Sequence, residues 1–342
     1  MSDLIRTGLI RCDTHGMWFG LQMQEHDSVL IERPICFEDD RCGKYSWMTR
    51  GCHYFFYTHY SAPRRMTAPC VEGFEIVKLW DEDRDVAELA SKVFLGKPMV
   101  CDSFEEVSDG VDLVFIADCN GDGSDHLKLA TPGLEKRVPT FIDKPFAQCL
   151  ENTYAILNLA RRSDTPVMSL SILQTNPATG RIAHRLEELG KTTFGSITCA
   201  VTHPAASIHA ISTAHHVFGT GIRTVTSLLT PRHTAYHLDY GDRPDRPVHG
   251  VVINCGVAQF RFTEMFVNAY GPDGAIQALA LDDFTASEGS AVILEHIKQM
   301  VRTRRPHPLN DEMVAAVAVM DAARESEITG KPVTVAEVGT WR

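Results

Sequence analysis

The sequence predicts an α/β protein: a doubly wound parallel sheet in its N-terminal half, followed by a second α/β unit. Three observations predict this. Short apolar runs alternate with helical stretches as far as Asp143, the pattern of parallel strands joined by crossover helices. Several of these runs end on a charged residue, at the strand ends where open α/β sheets bind their ligands. From Val251 to Asp282 the chain alternates and turns at Gly271-Pro272-Asp273-Gly274, as antiparallel strands with a tight connection do.

The 342 residues, set against about 100–200 per domain, predict two domains, here 1–170 and 171–342, and 44% hydrophobic residues let each bury a core. The formal net charge of -11 argues against nucleic acid and against an anionic membrane surface as partner. A small molecule is the default ligand. No stretch has the apolar length of a transmembrane helix, and the first residues lack a signal peptide's pattern, so a cytoplasmic protein is expected. The 10 cysteines are scattered without a CxxC pair, which in a reducing compartment predicts buried thiols.

Thr7-Gly8-Leu9-Ile10 reads as the first strand, and Arg11-Cys12-Asp13-Thr14-His15-Gly16 as the turn into a helix. A dinucleotide fold wants G-x-G-x-x-G here, and only the last glycine, Gly16, is kept. Asp13 stands where the backbone normally approaches a pyrophosphate, and it repels that group unless the pose shifts or the carboxylate is paired. Residues 21–73 carry no clean period and form an insertion, read as a lid or partner surface or, more simply, as an excursion packing its aromatics on the domain. The spacing of Cys36, Cys42, Cys52 and Cys70 matches no common zinc pattern, so no metal is expected.

Phe74 to Asp81 reads as the second strand, ending in an acid. Such an acid accepts from adenosine ribose hydroxyls and, by repelling a 2'-phosphate, favours NAD over NADP. Asp81 equally suits an N-cap of the helical stretch from Val86 to Phe94. Val111 to Ala117 is a buried strand leading into the turn-rich loop Asp118 to His126, which lacks the glutamate of a calcium loop and reads as a loop with a helix cap. Thr140-Phe141-Ile142 then delivers Asp143-Lys144-Pro145 to a strand end. Lys144 is placed there for a substrate or cofactor, the plainer alternative being a snorkelling surface lysine.

The second half is richest in histidine from Thr202 to His216, with His203, His209, His215 and His216. A neutral imidazole beside a lysine suffices to take a proton from a hydroxyl, and His209 is the candidate. His215 and His216 read as a packed surface pair. His233, His237 and His249 fall in a proline-punctuated segment that reads as a long loop at a pocket mouth or subunit contact. Residues 288–301 and 312–328 have helical periodicity, with Gly330 as a stop.

The strand ending in Trp80-Asp81, the strand-loop from Val111 to Asn120 with His126, Asp143-Lys144-Pro145, and the run from Asp321 to Val333 together resemble the glucose-fructose oxidoreductase, inositol dehydrogenase and MocA family. That family carries Glu-Lys-Pro where this chain has Asp143-Lys144-Pro145. The resemblance implies an NAD(P)-binding Rossmann domain followed by an α/β domain with an open, largely antiparallel sheet that carries substrate and often an oligomer interface, dimer or tetramer. It implies cofactor contacts at Cys12, Asp13, Thr14, His15, Asp81, Asp118, Asn120, Asp143 and Lys144. The family's lysine touches both nicotinamide and substrate, and its Asp-x-x-x-His pair is represented by Ala205 and His209, so the histidine is kept and the aspartate lost.

Two functions follow as expectations. The first is an NAD-dependent oxidoreductase acting on a sugar, cyclitol or related polyol, with Lys144 polarising the reacting oxygen and His209 as acid/base. The second is a family member that no longer turns over free cofactor: a lyase, hydrolase or isomerase in the same pocket, with or without a metal, or a noncatalytic binding subunit. Asp81 and Lys144 favour the first, whereas the altered loop from Arg11 to Gly16 and Ala205 favour the second.

Overall fold

The computed structural model describes residues 4–32, 44–49, 51–57, 70–119, 121–199, 204–230, 233–256, 265–277, 281 and 283–339. The described strands form two sheets, of six and seven strands. The first contains β1 (Ile5–Ile10), β2 (Phe74–Trp80), β3 (Met99–Val100), β4 (Leu113–Ile116), β5 (Thr140–Ile142) and β6 (Val167–Met168), in the order β3-β2-β1-β4-β5-β6. All neighbouring pairs are parallel. Strand order reverses between β1 and β4, so the ligand crevice of a doubly wound sheet opens over the ends of these two strands. The apolar runs of β4 and β5 are buried at every position because helices cover both faces.

The second sheet contains β7 (Phe194–Cys199), β8 (Thr224–Thr230), β9 (His233–Asp239), β10 (Val251–Cys255), β11 (Met265–Gly271), β12 (Gly274–Gln277) and β13 (Val333–Thr334), in the order β12-β11-β7-β10-β9-β8-β13. Only β7 and β10 run parallel; the other pairs are antiparallel. The tight connection expected at Gly271 to Gly274 joins β11 to β12. β10 does not pair with β11, because β7 lies between them. Helices Pro204–Phe218 and Leu309–Thr329 cover the face that buries Ile197, Val225, Leu238, Ile253 and Val267. Gly330 ends the last helix in the left-handed conformation, its N–H on the Ser326 carbonyl at 2.8 Å, as the sequence predicts.

One expectation fails here. His233 and His237 belong to strand β9, not to a loop; Tyr236 and Leu238 alternate inward and both neighbours supply ladder partners. The irregular segment begins only after Asp239, and His237 Nε2 lies 2.9 Å from the His249 carbonyl oxygen.

The helix Asp283–Thr303 returns from the C-terminal half to the first sheet. Its Ile293, Leu294, Ile297 and Met300 are fully buried in one cluster with Leu9, Met17, Phe19 and Phe115. Trp18 Nε1 donates to Ser290 Oγ at 3.1 Å and Gln22 Nε2 to the Ser287 carbonyl at 3.0 Å. The first helix, Thr14–Met23, is thereby clamped on a side that an isolated nucleotide-binding unit leaves open. Among the described residues no helix is long and apolar enough to cross a membrane.

Candidate functional site

β1 ends at Ile10, and the next residue, Arg11, has φ +68°, the left-handed conformation usually given to glycine. The turn is tight: a Cβ on Gly16 would stand 2.3 Å from the Arg11 carbonyl oxygen, so this last glycine of the loop has no substitute. Asp13 caps the first helix, Oδ1 accepting from Gly16 N–H at 2.9 Å and Oδ2 from Cys119 N–H at 2.8 Å. Its carboxylate is fully buried, and burial pushes its pKa up against the lowering influence of His15 and the two N–H donors.

Asp81, at the end of β2, is also engaged. Its Oδ2 accepts from Cys12 N–H at 2.8 Å, and its Oδ1 accepts from Tyr45 Oη at 2.7 Å and from Asp83 N–H at 2.9 Å. The expected capping of the following helix falls instead to Asp83. Tyr45 comes from the insertion, which the structure describes at 21–32, 44–49, 51–57 and 70–73. Trp47 donates Nε1 to the Cys12 carbonyl at 2.8 Å, and Thr14 Oγ1 lies 3.0 Å from the Lys44 carbonyl and 2.9 Å from Ser46 Oγ. Trp47 and Phe56 are buried, and Phe56 packs on Trp18 with ring centroids 4.4 Å apart. The described part of the insertion is thus an excursion packed across the ends of β1 and β2. Cys52 is buried and Cys70 exposed; Cys36, Cys42 and the candidate Asn120 lie outside the described residues.

In a doubly wound sheet an acid at the end of β2 holds the adenosine ribose and the first helix N-terminus holds the pyrophosphate. Here Asp81 is saturated by the chain and the helix N-terminus is capped by a carboxylate. As they stand, these residues do not fit a dinucleotide.

Lys144 follows β5 and is buried, its Nζ 3.0 Å from the Cys119 carbonyl oxygen and 3.4 Å from that of Asp118. Asp143, its neighbour in sequence, is engaged elsewhere. The Asp143 carboxylate turns to His15 Nδ1, and its second contact, at 3.4 Å, is with Asp118 N–H. Only β4 separates β1 from β5 in the parallel sheet, so the first turn of the first helix reaches Asp143 after β5, while Lys144 Nζ lies against carbonyls of the loop after β4. His209, on helix Pro204–Phe218, places Nδ1 2.6 Å from Ser171 Oγ.

Two histidines here are driven in opposite directions. Burial works against the His15 imidazolium, but Asp143 overrides it and lifts the pKa well above its ordinary value. Burial, Lys144 and His15 together hold His209 far below its ordinary value, so it is neutral at neutral pH. Lys144 and His15 thus lie near enough to His209 for their charges to be felt there. Sequence reading missed the His15–Asp143 pair and Ser171, since neither pairing has a local signature.

Asp118 accepts from Gly121 N–H at 2.6 Å and lies 3.1 Å from His126 Nε2; despite burial, His126, Lys144 and Arg11 lower its pKa. The Asp125 carboxylate does not cap the following helix; it pairs with the Arg11 guanidinium. Asp118, Asp125 and His126 bring ligand atoms within 4.8 Å of one another, a grouping balanced by Arg11.

His215 corrects another expectation: it is buried, not on the surface, with Nδ1 3.1 Å from the Glu312 carbonyl oxygen, because its helix packs between helices Pro177–Arg185 and Leu309–Thr329. His216 is half-buried, 3.4 Å from the Glu312 carboxylate. Burial lowers the pKa of His26, His209, His215, His307 and His296, the last to about 4. A base whose folded pKa is depressed binds more protons unfolded, so its contribution is whole above the unfolded value of about 6.5 and is lost as pH falls through that region. The thermal midpoint is therefore expected to fall steadily between pH 7 and pH 5. Calorimetry showing a flat or rising midpoint over that interval would refute the assignment of these histidines as neutral.

Residues 51–170 match the model of an oxidoreductase family with an NAD-binding Rossmann fold, the Gfo/Idh/MocA family. No curated protein matches the sequence. Among solved structures, the chain is similar to myo-inositol dehydrogenase from Lactobacillus casei in complex with NAD(H) and myo-inositol, with TM-score 0.70, 14% identity, and coverage of 98% of both chains. It is similar to an oxidoreductase from Agrobacterium radiobacter in complex with NAD+, L-tartaric acid and magnesium, with TM-score 0.66, 15% identity, and coverage of 97% of this chain and 98% of that one. For myo-inositol 2-dehydrogenase from Lactobacillus plantarum the values are TM-score 0.70, 10% identity, and 97% and 100% coverage. At these identities the solved structures show the shared fold, and the family match is confined to residues 51–170, after β1 and the loop that follows it. Over residues 51–170 the chain is similar to the glucose-fructose oxidoreductase, inositol dehydrogenase and MocA family.

Proposed function

We propose that this protein works on a sugar, cyclitol or related polyol, with Lys144 holding the reacting oxygen and His209 exchanging its proton. The observation that carries this is the opposed pair of histidines. Where environments push two titratable groups apart, the raised one serves as acid and the lowered one as base; here these are His15 and His209. Ser171 holds His209 Nδ1, which leaves Nε2 as the ring nitrogen for a substrate hydroxyl. Two carbonyls hold the Lys144 ammonium, and its third N–H is left for the substrate oxygen. The substrate class is supported by the fold shared with a structure solved with myo-inositol.

Oxidation of such a hydroxyl is the form of this chemistry that the family supports. Redox-neutral proton transfer is the second reading, favoured by the side chains that fill the nucleotide cleft. Both use the same pocket. Calorimetric titration with myo-inositol, scyllo-inositol and D-glucose is expected to show saturable binding of at least one, weakened tenfold or more by Lys144→Met and by His209→Gln. No binding of any polyol, or binding indifferent to both substitutions, would sink the proposal.

A further inference from the structure

We propose that the dinucleotide cleft is occupied by the chain's own side chains, Asp13 standing in for the pyrophosphate and Tyr45 for the adenosine ribose, so that the protein takes no free NAD or NADP. The argument starts at the first helix N-terminus, an anion site by its free N–H groups and dipole. Asp13 places both carboxylate oxygens on backbone N–H groups there, from Gly16 and Cys119, and is fully buried. A pyrophosphate would have to share that turn with a like charge in a poorly screened place.

At the ribose position Tyr45 Oη lies 2.7 Å from Asp81, the bond a ribose hydroxyl would make, and Asp81 is only 4% exposed. Trp47 closes over the same turn through the Cys12 carbonyl and is 1% exposed. Between these points the Arg11 side chain crosses the cleft to Glu82, at 3.2 Å, and to Asp125. A cavity beside these side chains, lined among others by Arg11, Lys44, Asp118, Asp122 and Asp125, has a volume of about 290 Å³. That is at the low end of the roughly 300–1,000 Å³ of ligand sites, and three of its lining residues are acids, which disfavour phosphates there. Lys44 and Arg11, its two cations, are both paired with Glu82.

Joined to the polyol reading above, closure leaves the pocket with proton transfer: a proton taken by His209 is replaced from His15, and no electrons leave the substrate. The closure itself does not depend on that reading, and its test is separate. Purified full-length protein is denatured and the supernatant assayed for nicotinamide dinucleotide; the native protein is titrated calorimetrically with NAD, NADH, NADP and NADPH, each to about 1 mM. The expected result is no released dinucleotide and no saturable heat from any of the four. Stoichiometric release, or a Kd in the micromolar range for any of them, overturns the proposal while leaving the polyol titration to decide the substrate class on its own.

Discussion

Replacing Trp47 by alanine is expected to lower the free energy of unfolding by about 3–5 kcal/mol, the cost of truncating a fully buried large aromatic. Trp47 is 1% exposed and belongs to the cluster that contains Met17, Trp18, Phe56 and Leu79. Its loss removes dispersion and area terms together and leaves the Cys12 carbonyl, which accepts its Nε1–H at 2.8 Å, without that donor. Trp47→Phe keeps most of the bulk and loses only the donor, so about 1–2 kcal/mol is expected for it. Denaturant unfolding at constant m value measures both. A loss under about 1 kcal/mol for the alanine variant would mean that residues 44–49 do not stay docked across β1 and β2 in solution. The cleft would then be open to a nucleotide, so this stability measurement bears on function as well.

The parts of the fold that could be read from sequence are those where local pattern and tertiary fate agree. The ends of β1, β2, β4 and β5 follow from apolar runs cut off by charge, and Gly330 as a stop follows from its left-handed cap. β3 and β6 are two residues each, too short to carry a period, and only their sheet neighbours define them. β9 was hidden by its histidines: polar at His233 and His237, it reads as loop until Tyr236 and Leu238 are seen to share an inner face.

The site divides in the same way. Lys144 at a strand end and His209 on a helix are visible as residue types in position. That Asp143 serves His15, 128 residues away, and that Ser171 holds His209 are facts of the folded crevice alone. Asp13 is the instructive case. Its place in the glycine loop already demanded either a displaced pyrophosphate or a paired carboxylate, and the structure supplies the pairing through Gly16 and Cys119. The insertion's contribution carried no such signal, since nothing in Tyr45 or Trp47 alone points to the strand ends they cover.

Arg11→Ala is expected to cost about 1–3 kcal/mol at neutral pH, because the partly exposed Glu82 and Asp125 lose their charged donor and the buried Asp118 loses a nearby cation. The guanidinium is buried and faces Asp125, Glu82 and, through charge alone, Asp118, which are the groups that hold its proton firmly against the cost of burial. The backbone supplies a control. Arg11 has φ +68°, so alanine inherits a strained left-handed position, whereas Arg11→Gly removes the same charge and relaxes the strain by about 1–2 kcal/mol. Glycine should therefore be the milder of the two substitutions by that margin. The sign of the pH dependence is a further check. Asp118 has its folded pKa depressed partly by Arg11, so the stability it contributes is present above its unfolded value of about 3.9 and lost as pH falls through the folded one. Removing Arg11 takes away part of that contribution, so the gap between wild type and Arg11→Ala should be full at pH 7 and shrink below about pH 4. A gap that is constant down to pH 3 would show that Arg11 acts through packing and not through its charge, and alanine and glycine variants of equal stability would show that its left-handed position is not strained.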